Sequence, residues 1–381
     1  MVVDWVAGIL GGLLVLVVVV DATWTVLAAG SGLGPVSRWV VPRVWHLVVR
    51  RHHDRHGEDA GVVGHRQLRR IGLTIIGAVL LSLVAALLTG WSLVFQVQDA
   101  GLVVPPTNRS ADVGERVYFA GFTVFTLGVG DVVPGTGWMR AATIAASATG
   151  LLLVTLLITY AVPMLDAYAQ KRTLAATVTG LGRTPAEVVV AAWDGETLPM
   201  LDDQLGDACQ QLSTMAQQHV SYPLLDLLHA EHAEAAVAVA VVVLDEAVTV
   251  LELGVVEELR PPPLLLRTAR RAVGRYLATA AAVMEDSEDV EVPPPLDLEP
   301  LRRNGVPCVD DETWEREVAD LADRRRTLRR MLRADGWTWT DVVAPVDEDG
   351  ERAALPTTDE SSDAQTESAD DTGEAEGPAP E

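Results

Sequence analysis

Residues 118–134 read YFAGFTVFTLGVGDVVP, a short apolar stretch that closes on glycine-rich sequence and has hydrophobic runs of membrane-crossing length on both sides. In hydrocarbon every backbone N–H and C=O needs a partner. Glycine-rich, non-helical backbone at that depth therefore survives only where protein buries it or where it lines a watery cavity. The stretch predicts a loop inserted between two spans, and an ion pathway follows from that arrangement more directly than any other function.

The hydrophobic runs set the frame. Residues 5–29 (WVAGILGGLLVLVVVVDATWTVLAA) exceed the roughly 20 residues a bilayer core requires, and the whole segment 1–30 is expected to be a first transmembrane helix. A secretory signal peptide would carry a positive leading region, but the early charge here is Asp4, so the span is read as retained. Gly8 and Gly12 either admit a neighbouring helix or simply face lipid. Asp21 is either a functional intramembrane carboxylate or one that pairs near the inner interface with an arginine such as Arg69 or Arg70.

Residues 31–70 are rich in arginine (Arg38, Arg43, Arg50, Arg51, Arg55, Arg66, Arg69, Arg70), which places this loop in the cytoplasm. Residues 36–49 alternate apolar and basic side chains with Trp39 and Trp45, as a helix in the inner headgroup layer does. His52, His53 and His56 are open to two readings, a metal or pH-sensing cluster or a solvated loop. Residues 71–97 form a second span, 98–116 an outer loop marked by Pro105, Pro106 and Asn108, and 113–126 a short helix that enters the membrane without crossing it. Residues 139–165 return to the cytoplasm, closed by Lys171 and Arg172, which puts the N-terminus outside. No span carries arginine at every third position, so a voltage sensor of the usual kind is not expected.

Beyond the pore segment, 71–168, residues 169–340 read as a mostly helical cytoplasmic domain. The run 233–256 is apolar enough to mimic a span, but Asp245, Glu246 and Glu252 interrupt it and predict a buried core helix. Residues 261–263 and 293–295 are triple prolines and read as stiff connectors. Residues 311–334 predict one helix, acidic at its start and basic at its end, with Gly336 as the stop. Its apolar face, Trp314, Val318, Leu321, Leu328 and Leu332, suits either a contact between subunits or an intradomain helix. His229 and His232, with Glu231 and Glu234 nearby, would share a face if helical, but a third metal ligand is missing. Residues 341–381, dominated by acidic and small polar residues, are expected to be a disordered tail.

The net charge of -24, from 29 basic and 53 acidic residues, sits mainly in that soluble half and argues against nucleic acid as a partner. Cys209 and Cys308 stand far apart and read as free thiols in a reducing compartment. No nucleophile–base set, metal set or phosphate-binding loop is evident, and no G-x-G-x-x-G follows a strand. An enzyme, a cofactor or a nucleotide-binding regulatory domain is accordingly not expected.

The chemistry returns to 126–130. A cation that sheds its water needs substitute ligands, and closely spaced backbone carbonyls supply them without a trapping charge. Glycines at 128 and 130 permit the backbone angles that aim successive carbonyls one way, and Thr126 adds a hydroxyl. The preceding helix would turn its negative end toward the cation. One loop cannot surround an ion, so a ring of four copies is implied.

T-L-G-V-G-D at 126–131 resembles the potassium-channel filter T-V-G-Y-G-D. The wider context, YF-x-x-F-T-x-x-T-x-G-x-G-D-x-V-P, is similar to pore regions of the two-transmembrane and tandem-pore potassium channels, over residues 71–168. By that resemblance Thr126, Leu127, Gly128, Val129 and Gly130 would coordinate K+ (the metal ion proper at Thr126, Leu127, Gly128 and Val129), and Asp131 would brace the loop from behind. Tyr118 and Phe119 would form an aromatic cuff. Gly150 would be a gating hinge or a small packing residue, and Pro163 a kink at the gate or a helix end. Val129 departs from the family's usual aromatic, and Phe125 from a frequent threonine. Neither change removes a main-chain ligand, but loss of the aromatic loosens the packing behind the filter.

The expectation is thus an all-α membrane protein: three transmembrane helices, a re-entrant pore helix and filter loop, tetrameric, with a helical cytoplasmic domain and an acidic tail. Its expected function is a potassium-selective channel of the plasma membrane. A non-selective cation channel, or a non-conducting membrane sensor or scaffold, is the alternative. Its partners would be the lipid bilayer, its own copies and an unknown cytoplasmic regulator, with K+ as permeant ion and no cofactor.

Overall fold

A computed structural model describes residues 2–27, 34, 36–40, 43, 65–105, 107–198, 201–281 and 290–344, with backbone alone at 2, 65–71, 201, 202, 223, 226 and 281. The histidines at 52, 53 and 56, most of the arginine loop and the acidic tail beyond 344 lie outside the described residues. The chain is a helical membrane protein. Three of its helices are long and apolar enough to cross a bilayer, at Val3–Val26, Gly72–Val94 and Gly137–Leu181. It divides into two compact units, Met1–Ala169 with Gln217–Glu231, and Gln170–Ala216 with His232–Glu381. The one boundary expected near residue 168 is therefore crossed again, because 217–231 returns to the first unit.

In the first unit α1 (Val2–Leu27) packs along α2 (His65–Val94). Lipid is as apolar as leucine, so such packing rests on close backbone approach. A Cβ added to Gly8 would lie 2.1 Å from Val97 Cγ2, and one added to Gly11 2.4 Å from the Gly90 carbonyl oxygen. Gly12 has nothing within 4 Å, so the close-approach pair is Gly8 with Gly11, and Gly12 faces away. Asp21 is fully buried and accepts bonds from Val36 N (2.6 Å), Ser37 N (3.2 Å) and Ser37 Oγ (2.9 Å). The carboxylate thus caps the helical stretch at 36–40. The side chains of Arg69 and Arg70, the partners expected from the sequence, lie outside the described residues.

The outer loop is not wholly irregular, as 98–116 suggested. Strands β1 (Leu102–Val104), β2 (Arg109–Ser110) and β3 (Val133–Pro134) form a 3-stranded antiparallel sheet in the order β2-β1-β3. Its register pairs Val103 with Ser110 on one side and with Val133 on the other. Between β2 and β3 lie α3 (Val113–Val124) and the loop 125–131, so the sheet ties the entry of that excursion to its exit. Helix α4 (Gly137–Leu181) does not end near 165 but runs for 45 residues, with Pro163 inside it rather than at its end.

The second unit, which also holds the short helices α5 (Pro185–Ala191) and α9 (Glu299–Arg303), is built on α7 (Val237–Thr249), in which every residue is buried. A helix apolar all round belongs in a core or a membrane, and the charges inside decide for the core. Asp245 is held by Arg324 from α11 (Ala322–Ala334) at 2.6 and 2.8 Å, and by Arg270 from α8 (Pro263–Ala281) at 3.1 Å. Glu246 receives Arg325 at 2.9 and 3.0 Å, with both side chains 1% exposed. Arg325 also donates to the Pro293 and Pro294 carbonyls, which gives the triple-proline connector a fixed seat. Removing one partner of such a buried pair strands a charge and costs about 3–5 kcal/mol.

Helix α7 closes in a π-type turn at Val250–Gly254, so 233–256 is not one uninterrupted helix. Residues 311–334 likewise form two helices, α10 (Asp311–Ala319) and α11, broken at Asp320 and Leu321. Helix α11 ends as a Schellman motif: Gly336 has φ +87°, Trp337 N bonds the Leu332 carbonyl and Gly336 N that of Arg333. Trp314, Val318, Leu328 and Leu332 are buried and Leu321 half-buried, so this face serves the unit's own core. His229 and His232 lie in irregular chain, not on a helix. Cys209, in α6 (Leu201–Ser221), and Cys308 are free, and burial pushes the Cys209 thiol up to about 11.

Candidate functional site

Helix α3 starts where its sequence supplies both halves of a capping box. Asp112 accepts from Glu115 N at 2.9 Å, and Glu115 accepts from Asp112 N at 2.9 Å. Arg109 of β2 donates both guanidinium nitrogens to Glu115, which fastens the sheet to the helix start. The helix has 12 residues, about 18 Å of rise. That is well short of a hydrocarbon core of about 30 Å, so α3 can enter a membrane but not cross it.

Three contacts fix where α3 ends. Phe119 is 1% exposed and meets Phe95 of the α2 end and Phe122 edge-on, each at 5.0 Å. Arg116, also buried, donates to the carbonyls of Ala111 (3.0 Å), Gln96 (3.3 Å) and Asp99 (2.9 Å). A charge at this depth is tolerated because those oxygens replace its water. At the other end Gly150 of α4 sits against Val124, the last residue of α3. A Cβ there would lie 2.0 Å from the Val124 carbonyl oxygen. Beside it, Thr149 Oγ1 accepts from Trp91 Nε1 of α2 at 2.9 Å.

The loop that follows has an alternating backbone. Thr126 (φ +58°), Gly128 (φ +62°) and Gly130 (φ +87°) are left-handed, whereas Leu127 and Val129 between them are not. Alternating the two hands turns successive peptide planes to one side, the arrangement a row of ligand carbonyls requires. Glycine takes left-handed angles without strain, but a β-branched threonine does so only where its surroundings force it, at about 1–3 kcal/mol. Leu127 N donates to the Phe122 carbonyl at 2.7 Å and Thr126 N to that of Thr123 at 3.0 Å, which anchors the loop to the helix. Among the described residues no backbone hydrogen bond closes on the carbonyls of 126–130. Residues 125–131 are all exposed in the single chain, including Leu127 (69%) and Val129 (55%).

The residues singled out from sequence separate into groups. Thr126, Leu127, Gly128, Val129 and Gly130 share the loop. Asp131 lies beyond it, with its carboxylate beside the Tyr118 hydroxyl. Phe119 is in the core between α2 and α3 and away from the surface on which Tyr118 stands 45% exposed. Gly150 is a packing position at the end of α3. Pro163 is exposed further along α4. Among the described residues no three His, Cys, Asp or Glu side chains form a metal-binding group. The strained Thr126, the Arg116 clamp and the closeness of Gly150 to Val124 carry no mark in residue type, since each depends on backbone angle or on partners distant in sequence.

Residues 80–166, which contain α3, the loop and both flanking helix segments, match the family model described as "Ion channel". The chain is 31% identical over 333 residues to the uncharacterized membrane protein YdjJ of Bacillus subtilis (strain 168), covering 87% of this chain and 94% of that one. No solved structure matches the chain.

Proposed function

The chain belongs to the ion-channel family, and from that premise we propose that it is a potassium-selective channel of the plasma membrane that works as a homotetramer. The observation that carries this reading is the left-handed alternation at Thr126, Gly128 and Gly130 in a loop whose carbonyls lack internal backbone partners among the described residues. Four such loops around one axis would give stacked rings of oxygens, with Thr126 Oγ1 at the inner mouth. The same symmetry would cover the exposed Leu127, Val129 and Phe125 side chains, an apolar surface that a lone chain leaves open. Residues 31–70, with their arginines, face the cytoplasm in this reading, the N-terminus lies outside, and the second unit is cytoplasmic. K+ is the permeant ion and no cofactor takes part. Movement is passive, driven by about 2.3 kcal/mol per charge per 100 mV.

Val129 favours a second reading, a non-selective cation pathway. An aromatic side chain at this position would pack behind the loop and stiffen it, and valine cannot reach as far. Reversal potentials of the purified protein in lipid bilayers under opposed potassium and sodium gradients separate the two. The expected value lies near the potassium equilibrium potential. A value near zero replaces potassium selectivity with general cation passage, and absence of current removes the channel reading.

A further inference from the structure

Residues 217–231 return to the first unit from a chain that belongs to the second on either side. Helix α6 ends there at Ser221, and a short 3-10 turn, Pro223–Leu227, follows. The turn is closed by its own bonds, Leu225 N to the Tyr222 carbonyl at 2.9 Å and Leu228 N to the Leu225 carbonyl at 3.1 Å. Leu224, Leu225 and Leu228 are buried, so the piece is seated and not merely passing.

It touches two spans at once. The Leu227 carbonyl occupies the space a side chain on Gly72 of α2 would need: a Cβ there would lie 1.7 Å from that oxygen. Leu227 itself packs on the core of the first unit. On α4, the buried Tyr160 ring meets the Tyr222 ring edge-on, with centroids 5.6 Å apart and planes at 69°. Both contacts lie far from the loop. Tyr160 stands about 15 Å along α4 from Gly150, and Gly72 lies near the end of α2 opposite the one that holds Phe119.

We propose that this turn is a strap that sets the spacing of α2 and α4 at their loop-distal ends, with Tyr222 and Leu227 as positioning residues for opening of the pathway. The inference rests on the channel reading above. In this proposal the pathway opens at that end by movement of α4 against α2, and a contact shared by both helices stabilises one spacing over the other. The proposal takes the α2–α4 spacing as a two-state equilibrium, and the coupling free energy is the shift the strap gives it.

The experiment is single-channel recording of the full-length protein in planar bilayers. Tyr222→Ala removes the ring on α4, and Gly72→Ala pushes the Leu227 carbonyl off α2. Both are expected to shift open probability in the same direction by about fivefold or more, with conductance and reversal potential unchanged. Tyr222→Phe keeps the ring and should behave as wild type. Tyr160→Ala should repeat the Tyr222→Ala shift, and the double variant should add little to either. Unchanged open probability, opposite shifts from the two contacts, or additive effects of Tyr160→Ala and Tyr222→Ala overturn the strap. A wild-type protein that passes no current overturns the channel reading instead. Should Gly72→Ala fail to assemble, the Tyr222 and Tyr160 pair decides the matter alone.

Discussion

Gly150→Ala is expected to reduce ion flux at least tenfold while the protein still inserts into membranes. The added Cβ would meet the Val124 carbonyl oxygen at 2.0 Å, its carbon at 2.8 Å and its Cα at 3.0 Å. All three atoms are backbone, so no side-chain rotation relieves the clash. Restoring an ordinary carbon–oxygen contact requires about 1 Å or more of movement. Overpacking of this kind costs about 1–3 kcal/mol. Helix α4 is held beside this point by the Trp91–Thr149 hydrogen bond, and α3 by the Phe119 cluster and the Arg116 clamp. The displacement is therefore directed into Phe125 and Thr126, the next residues of the loop. Gly77→Ala is the control, since nothing lies within 4 Å of the Cβ it would add. Rubidium efflux from liposomes reads both variants. A Gly150→Ala protein with wild-type efflux would show that the α3–α4 contact does not position the loop.

Gly128→Ala is expected to abolish flux for a different reason. Within one chain no atom lies within 4 Å of the Cβ it would add, so the chain itself raises no steric objection to the methyl group. The backbone there has φ +62°, and an L-residue held left-handed costs roughly 1–2 kcal/mol. That cost recurs in every copy of the proposed ring, at a position where rotation of one peptide plane removes a ligand carbonyl. The same efflux assay, on protein shown to retain the wild-type assembly by size, reads the result. Efflux within twofold of wild type would mean that the left-handed angle at Gly128 does not matter to conduction.

These two glycines mark what could be read from sequence and what could not. The left-handed angle at Gly128 is legible because glycines at 128 and 130 form a local pattern between two spans. Gly150 was recognisable as a small residue midway along a span. Its choice between hinge and packing depends on Val124, which approaches through space rather than along the helix. The left-handed Thr126 was hidden because residue type argues against that angle, and the surroundings impose it. Gly11 in place of Gly12 is a matter of helix rotation, which spacing alone leaves open.

The outer sheet leaves no trace in the sequence because strands of two or three residues show no alternation. Asp245 and Glu246, in an otherwise apolar run, mark a buried helix from the sequence alone. Their arginine partners lie on α8 and α11, the latter 79 residues away, and nothing in the local sequence points to them. The break at Asp320 and Leu321 carries no glycine or proline to announce it.

The measurement that bears most directly on the carbonyl pathway is a structure of the assembled protein in membrane mimetic, prepared in thallium(I), a heavy monovalent ion close in size to potassium. Four chains are expected around one axis, with thallium density on that axis at the level of the main-chain oxygens from Thr126 to Gly130. A monomer, or a ring in which those oxygens point away from the axis with no density between them, would contradict the account.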